Sequence, residues 1–150
     1  MIYWFIGQPG CGKTTLAKRL KSEFESKGSE TILHIDGDNL REIFGNSYNK
    51  ENFTKEYRIQ QTEILQRLIG HIADQGITVI VSTVNPYREV RDKFKKSRFG
   101  VKEIYVFTSE VRGRESFHCK EFEEPLENFI PVCTTGITPE ESLRILWNSI

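Results

Sequence analysis

A glycine-rich stretch near the amino terminus, Gly7 to Thr15, constrains the fold of this chain more than any other feature. Its letters, GQPGCGKTT, fit the pattern G-x-x-x-x-G-K-[ST]. The apolar run Ile2–Ile6 precedes it and a segment with helical spacing follows, which predicts a buried strand, a tight turn and a helix start. Glycines let backbone N–H groups converge on phosphate oxygens, and the positive end of a helix favours the same anion. We therefore predict that this stretch binds the phosphates of a nucleoside triphosphate.

The residues of this loop have distinct expected roles. Lys13 would reach the β- and γ-phosphates of ATP, and the Thr14 hydroxyl would ligate Mg²⁺. Cys11 lies inside the loop, where a small residue fits the turn, and sensitivity to oxidation is the alternative interpretation. The residues predicted to bind ATP are Gly7, Gly10, Cys11, Gly12, Lys13, Thr14 and Thr15.

Length and composition limit the classes of protein to which the chain can belong. Its 150 residues suit one domain, residues 1–150, and its 21 basic residues balance 21 acidic ones. This balance argues against a general binder of nucleic acid or of membrane surfaces. Three widely spaced cysteines predict neither a disulfide framework nor a metal site and favour a reducing, cytoplasmic location, and the three histidines form no ligand pattern. We also expect no signal peptide and no membrane span, because the first residues form a strand and apolar runs are short.

Apolar segments alternate with amphipathic segments along the whole chain. Buried strands are predicted at Ile2–Ile6, Thr31–Ile35, Ile77–Val84, Val101–Phe107 and Phe129–Cys133. Helices are predicted after the loop, from about Thr54 to Gln75, after Asn85–Pro86 and after Thr138–Pro139. This order predicts an α/β domain of the P-loop NTPase type, with a parallel sheet of about five strands flanked by helices.

The starts of the last two predicted helices carry specific signals. Asn85 and Pro86 suit the N-cap and first position of a helix. Thr138 to Glu141 has the composition of a capping box with proline at the first position. The helix that follows Pro86 is rich in lysine and arginine, and we interpret its basic side chains as a solvated face whose first members, Arg88 and Arg91, lie near the cleft.

Two aspartates follow the second predicted strand. Ligands of parallel sheets bind at the carboxyl ends of the strands, and Asp36 and Asp38 lie at such an end, whereas the third strand ends in Ser82-Thr83-Val84-Asn85 without a carboxylate. The two aspartates are therefore expected to organise a metal ion or to take a proton from an acceptor hydroxyl. Turn formation and helix capping are the alternative roles, above all for Asp38. Arg41 lies one helical turn further on, where it would hold an anionic acceptor or lie on the surface.

Four segments together resemble the adenylyl-sulfate (APS) kinases. In chain order they are YWFIGQPGCGKTTLA, DGDNLR, GITVIVSTVNPYREVRD and TPEES. Members of this family transfer the γ-phosphoryl group of ATP to the ribose 3′-hydroxyl of adenylyl sulfate. The resemblance implies that Lys13 stabilises the transferred charge, that Asp36 assists deprotonation of the hydroxyl, and that Asp38 contacts the metal or the acceptor phosphate. The implied catalytic residues are thus Lys13, Asp36 and Asp38, with Thr14 and Asp38 at the metal.

The same resemblance implies an acceptor site. The segment FTKEYR is similar to the family's F-S-x-x-x-R, so that Phe53 would stack on the acceptor base and Arg58 would bind its phosphate. The acceptor residues implied in this way are Asp36, Asp38, Arg41, Phe53, Arg58, Gln61 and Val84.

The chain departs from the family's pattern at several positions. Gln61 stands where the family has asparagine, and Asn85 stands where the family's I-S-P segment has serine. The lysine-rich lid is shortened to about GRESFHCKEFEEP, within a region of about residues 109–128 that we name the lid segment. Arg114 would replace the arginine at the start of the family's lid and would contact ATP. A lid shields phosphoryl transfer from water, so these changes bear on the choice of acceptor.

Several functions remain open at this stage. The leading hypothesis is an ATP- and Mg²⁺-dependent kinase for the ribose 3′-hydroxyl of an APS-like nucleotide. One alternative is the same chemistry on another nucleotide, such as cytidine diphosphoramidate in capsule modification, and another is a nucleotide-binding regulator without turnover. A kinase for nucleic-acid ends is the weakest alternative because the net charge is zero. The expected partner is a small nucleotide acceptor, with no nucleic acid and no membrane, and a homodimer is left open.

Overall fold

Five parallel strands form one sheet at the centre of the part of the chain that the structure describes. The computed structural model describes residues 1–28, 31–43 and 54–150. Its strands are β1 (Ile2–Ile6), β2 (Ile32–Asp36), β3 (Thr78–Ser82), β4 (Val101–Phe107) and β5 (Phe129–Cys133). They lie in the order β2-β3-β1-β4-β5, and each neighbouring pair is parallel. The predicted α/β parallel sheet is therefore confirmed.

Helices cover both faces of this sheet in the described residues. They are α1 (Lys13–Ser26), α2 (Gly37–Ile43), α3 (Lys55–Asp74), α4 (Arg88–Ser97) and α5 (Pro139–Trp147). Alternate side chains of β1 point to opposite faces because a strand has a period of two residues. Phe5 is fully buried in a cluster with residues of α1 and α5, and Trp4 packs edge-on against Phe94 of α4 in the opposite cluster. The central strand thus holds both layers together, and the glycine-rich loop leaves from its carboxyl end.

The predicted elements agree with the structure except for α2, which was not predicted, and for the start of α4. Asn85 and Pro86 were expected to open this helix, and that prediction is wrong, because Tyr87 is the N-cap and Arg88 is the first helical residue. Asn85 is buried and has a φ of 43°, in the left-handed region. Its carbonyl oxygen accepts a hydrogen bond from Arg91 at 2.8 Å. Asn85 and Pro86 therefore belong to a buried connection between β3 and α4.

The interpretation of α4 as a solvated basic helix is wrong for Arg91. This side chain is buried, and its Nε donates to Glu103 of β4 at 2.6 Å. Lys95 also forms an ion pair with Glu103. Burial lowers the pKa of Arg91, and the neighbouring Glu103 carboxylate opposes that shift. The inner face of α4 is thus an ion-paired face, and its outer face remains exposed.

The predicted capping box of α5 is confirmed. The Thr138 hydroxyl accepts a hydrogen bond from the Glu141 N–H at 3.2 Å, and the Glu141 carboxylate accepts one from the Thr138 N–H at 2.7 Å. Pro139 occupies the first helical position. Among the helices that the structure describes, none is long and apolar enough to cross a bilayer.

Candidate active site

The glycine-rich loop joins the end of β1 to the start of α1. Gly7 has a φ of 142°, and a Cβ atom there would lie 2.1 Å from the Val106 carbonyl oxygen of β4. Gly12, with a φ of 101°, precedes the first residue of α1. Residues with a Cβ atom rarely adopt these conformations, so both positions require glycine. The loop therefore brings its backbone and the N-terminus of α1 to one place, as a phosphate site requires.

The side chain of Lys13 folds back over this loop. Its Nζ donates to the Gln8 carbonyl oxygen at 2.8 Å and lies 3.8 Å from the Cys11 sulfur. Only 9% of the residue is exposed, and burial lowers the pKa of its ammonium group, while Cys11 and Asp36 act in the opposite direction. Burial also raises the pKa of the Cys11 thiol. A desolvated cation held in this way can interact strongly with an anion that enters the loop.

Asp36 ends β2 beside the first turn of α1. One carboxylate oxygen, Oδ2, accepts hydrogen bonds from the Thr14 hydroxyl at 2.6 Å and from the Ser82 hydroxyl at 2.7 Å. The other, Oδ1, accepts from the backbone N–H of Asp38 at 2.9 Å. This aspartate is 9% exposed, so three donors hold its charge at a fixed place. The structure thus brings Asp36 and Thr14, both predicted site residues, into direct contact.

The chain of hydrogen bonds continues behind Asp36. Because the Ser82 hydroxyl donates its proton to Asp36, it accepts one from Nε2 of His34, at 3.0 Å. Burial lowers the pKa of His34, and the Asp36 charge acts in the other direction. Sequence reasoning assigned no role to Ser82 or His34. The signal for Ser82 was its position at the carboxyl end of β3, where it ends the strand directly beside Asp36.

Asp38 lies on a more open surface than Asp36. It occupies the first turn of α2, where its side chain is 57% exposed and pairs with Arg41 one turn later. Its backbone, rather than its carboxylate, bonds to Asp36. The sequence also allowed turn formation and helix capping by Asp38, but the carboxylate that accepts an N-terminal N–H of α2 is that of Asp36. The role of Asp38 at the metal stays a prediction.

The lid segment lies against the glycine-rich loop. Arg112 donates to the Gly10 carbonyl oxygen at 3.4 Å and to that of Thr134 at 2.9 Å. Arg114 packs so closely over Gly10 that an added Cβ would lie 3.0 Å from its own Cβ, and its charge further lowers the pKa of Lys13. His118 contacts the Pro9 carbonyl oxygen at 3.2 Å. Arg114 was predicted at the ATP site, whereas Arg112 and His118 were not.

The predicted acceptor residues Arg58, Gln61 and Val84 lie on α3 and on the connection that follows β3. Arg58 is half-buried on α3, and its guanidinium lies 3.5 Å from the sulfur of Cys119 in the lid segment. Gln61 is half-buried one turn further along α3. The Val84 carbonyl oxygen lies 3.5 Å from the Gly7 nitrogen, at the loop. Phe53 lies outside the described residues.

One predicted nucleotide-binding residue is more open than its neighbours. Thr15 is exposed on α1, next to the half-buried Thr14. Its role at the nucleotide remains a prediction.

Comparison with known proteins shows the family to which this chain belongs. The model of the adenylylsulphate kinase family matches residues 1–116, more than half of the chain. The chain therefore belongs to the adenylylsulphate kinase family. The match contains the loop, Asp36, α3 and the start of the lid segment, and it ends before Cys119. The recognition made from the four sequence segments is thus confirmed, and the matched region ends inside the lid segment, where the sequence departs from the family's pattern.

Individual relatives of this adenylylsulphate kinase family member support the same assignment. An adenylyl-sulfate kinase from Thermodesulfovibrio yellowstonii is 30% identical over 147 residues, 93% of this chain and 70% of that protein. The cytidine diphosphoramidate kinase of Campylobacter jejuni is 28% identical over 149 residues, 96% of this chain and 84% of that protein. The APS kinase of Mycobacterium tuberculosis, solved in complex with AMPPNP and APS, has a TM-score of 0.79 at 19% identity, over 98% of this chain and 95% of that one. At that identity the structural likeness shows the fold alone. The family match is what makes the chain a kinase of this family.

Proposed function

We propose that this kinase transfers the γ-phosphoryl group of ATP to the ribose 3′-hydroxyl of an APS-like nucleotide. The observation that carries the proposal is the 2.6 Å contact between the Thr14 hydroxyl and the Asp36 carboxylate. Thr14 lies in the first turn of α1, next to the buried Lys13 of the glycine-rich loop. Arg58 of α3 contacts Cys119, which is hydrogen-bonded to Gln8 of the same loop. A phosphate-binding loop, a fixed carboxylate and a nearby arginine suit transfer between two nucleotides.

The donor half of the site would hold ATP and Mg²⁺. Backbone N–H groups of the loop would hold the phosphates, and Lys13 would neutralise charge on the transferred group. Hydroxyl and carboxylate oxygens are the protein ligands that Mg²⁺ prefers, so Thr14 and Asp38, with Asp36 as a further candidate, fit this metal. When bound, Mg²⁺ neutralises charge on the phosphate oxygens.

The acceptor half of the site would position a nucleotide. Arg41 and Arg58 would hold its phosphate, and Asp36 would orient the hydroxyl or accept its proton. Phosphoryl transfer needs little covalent chemistry from the protein, so these residues act mainly by placing the acceptor and by excluding water.

A second candidate acceptor is cytidine diphosphoramidate, and the lid segment favours it. Where the family's pattern is rich in lysine, Glu121 accepts a hydrogen bond from the buried Tyr87 hydroxyl at 2.7 Å. Glu123 accepts one from the Arg88 N–H at 2.7 Å. An acidic lid segment favours an acceptor that carries less negative charge or offers an amino group. The cytidine compound has a phosphoramidate in place of a sulfate, and the Campylobacter jejuni relative is named for acting on it.

The test is a side-by-side measurement of ADP release with MgATP and either adenylyl sulfate or cytidine diphosphoramidate. We expect acceptor-dependent ADP release with one of the two compounds and a phosphorylated 3′-position in its product. Turnover on adenylyl sulfate supports the leading proposal, and turnover on the cytidine compound only supports the second candidate. ATP binding without acceptor-dependent release across a nucleotide panel would instead indicate a regulator without turnover. The Lys13→Ala protein is the blank for contaminating kinases.

A further inference from the structure

Gln8 of the glycine-rich loop is paired with Cys119 of the lid segment through both ends of its side-chain amide. Its Nε2 donates to the Cys119 carbonyl oxygen at 2.9 Å, and its Oε1 accepts from the Cys119 N–H at 2.9 Å. The two residues are 111 positions apart in the chain. A carboxamide that uses its donor and its acceptor on one residue fixes both the distance and the orientation of that residue.

The backbone of Gln8 also holds the catalytic lysine. Its carbonyl oxygen accepts the hydrogen bond from Lys13 Nζ at 2.8 Å. Gln8 therefore contacts both the ammonium group of Lys13 and the backbone of the lid segment. A shift of Cys119 can reach Lys13 through this single residue.

Cys119 continues the connection toward the acceptor side. It is 8% exposed, and its sulfur lies 3.5 Å from the Arg58 guanidinium. Its backbone thus faces the donor loop and its side chain faces the arginine expected to bind the acceptor. Contacts that belong to the chain itself hold the lid segment against the loop.

From these contacts we propose that Gln8 is a positioning residue that couples the donor loop to the acceptor site. The proposal rests on the proposed function for its catalytic part. Through Cys119, Gln8 holds the short lid segment over the loop and sets the position of Arg58, so that an abbreviated lid still shields the transferred phosphoryl group from water.

The first arm of the test measures the contact itself, without any acceptor. Backbone amide exchange at Cys119 is followed by NMR in ¹⁵N-labelled wild-type protein, in Gln8→Met and in the matched control Gln75→Met. Methionine keeps the length of the side chain and removes its hydrogen bonds, and Gln75 lies exposed at the far end of α3. We expect the Cys119 amide to exchange about tenfold faster in Gln8→Met and at the wild-type rate in the control. An unchanged rate in Gln8→Met would overturn the proposal.

The second arm measures the coupling. In Gln8→Met we expect a higher KM for the acceptor and faster ATP hydrolysis without acceptor, with a nearly unchanged KM for ATP, because the loop backbone that binds phosphate remains. Cys119→Ala keeps the backbone pairing, so it should show the wild-type exchange rate together with the raised acceptor KM. Equal losses in the KM of both substrates, or an unchanged acceptor KM in both variants, would overturn the coupling role.

Failure of the proposed function would be visible separately. If the wild-type protein phosphorylates neither acceptor, the function is wrong, and the exchange rates and the acceptor-free ATP hydrolysis still decide whether Gln8 holds the lid segment closed. Faster exchange with faster ATP hydrolysis in Gln8→Met then supports the closing role. Wild-type values for both would overturn it.

Discussion

At the scale of single residues, the structure distinguishes the two predicted aspartates, Asp36 and Asp38. Both follow β2, and the sequence alone gives them similar chances of contacting a metal. In the structure Asp36 receives the Thr14 and Ser82 hydroxyls, while Asp38 points to Arg41 at the surface. The difference arises because Asp36 still belongs to the strand and Asp38 already belongs to α2.

The first prediction compares these two carboxylates. Asp36→Asn keeps the shape of the side chain and removes its charge, so we expect turnover to fall on the order of 10² or more and the Mg²⁺ concentration for half-maximal rate to rise. The matched variant Asp38→Asn removes a proposed metal ligand, so it should raise the Mg²⁺ requirement at least as much as Asp36→Asn does. Magnesium titrations of ADP release measure both effects. A Mg²⁺ requirement that rises only in Asp36→Asn would place the metal at Asp36 and refute the role proposed for Asp38.

The second prediction concerns Lys13. Lys13→Ala removes a buried cation from the loop, and we expect turnover to fall on the order of 10²–10³, as for the loss of one fixed electrostatic group. Lys18→Ala, an exposed lysine on the same helix, is the control and should retain wild-type turnover. Steady-state ADP release provides the measurement. Normal turnover in Lys13→Ala would refute the donor site.

At the scale of elements, α4 anchors the far end of the lid segment. Each guanidinium nitrogen of Arg91 has an acceptor, and the three acceptors belong to Glu103 of β4, to the Asn85 carbonyl and to the Glu123 carbonyl. The helix thereby joins the sheet, the connection after β3 and the lid segment. A pattern of basic residues cannot show this, because the hydropathy of a buried, paired arginine equals that of an exposed one.

The third prediction follows from this buried ion pair. Arg91→Ala leaves the Glu103 carboxylate buried without its main partner, so we expect the free energy of unfolding to fall by about 3 kcal/mol. Lys93→Ala, on the exposed face of the same helix, should stay within about 0.5 kcal/mol of wild type. Denaturant unfolding of the two variants measures the difference. Equal stabilities would show that Glu103 finds compensation from Lys95.

The fourth prediction concerns the capping box of α5. Thr138→Ala should lower the free energy of unfolding by about 1 kcal/mol at neutral pH. Hydrogen bonds from Thr138 lower the pKa of Glu141, so this carboxylate stabilises the fold fully above the ordinary glutamate pKa of about 4.3 and loses that effect as pH falls through its lowered pKa. In Glu141→Gln this part of the acid dependence should disappear. Unfolding curves from neutral to acidic pH measure this dependence. The same pH dependence of the free energy of unfolding in wild type and in Glu141→Gln would show that this carboxylate contributes nothing.

At the scale of the whole molecule, the sequence was sufficient to predict the parallel sheet and the glycine-rich loop. Apolar runs such as Val101–Phe107 and the fixed glycines depend on local patterns, which are visible in one sequence. The remaining features depend on contacts between distant residues. Two such pairs are Gln8 with Cys119 and Arg91 with Glu103. In neither pair does the sequence around one residue indicate its partner. The left-handed turn at Asn85 was missed for the same reason, since Arg91 binds its carbonyl oxygen.

The fifth prediction concerns the effect of nucleotide binding on the free energy of unfolding. A nonhydrolysable ATP analogue with Mg²⁺ at 100 times its Kd should raise the free energy of unfolding by about 2.7 kcal/mol, because the loop exists only in the folded protein. Removal of Mg²⁺ by a chelator should reduce this gain, and Lys13→Ala should reduce it further. Thermal unfolding at fixed protein concentration measures both. A gain that is independent of Mg²⁺ would contradict the predicted metal.

The position of β1 in the sheet has a consequence for biosynthesis. This strand is translated before both of its neighbours, β3 and β4, which begin only at Thr78 and Val101. Gly7 packs against Val106, so the nucleotide loop acquires its final shape only after most of the chain has been translated. Until then this apolar segment has no sheet partners and is a target for chaperones. ATP would therefore bind only to a chain whose synthesis has passed β4. Binding would then protect that chain from aggregation and proteolysis.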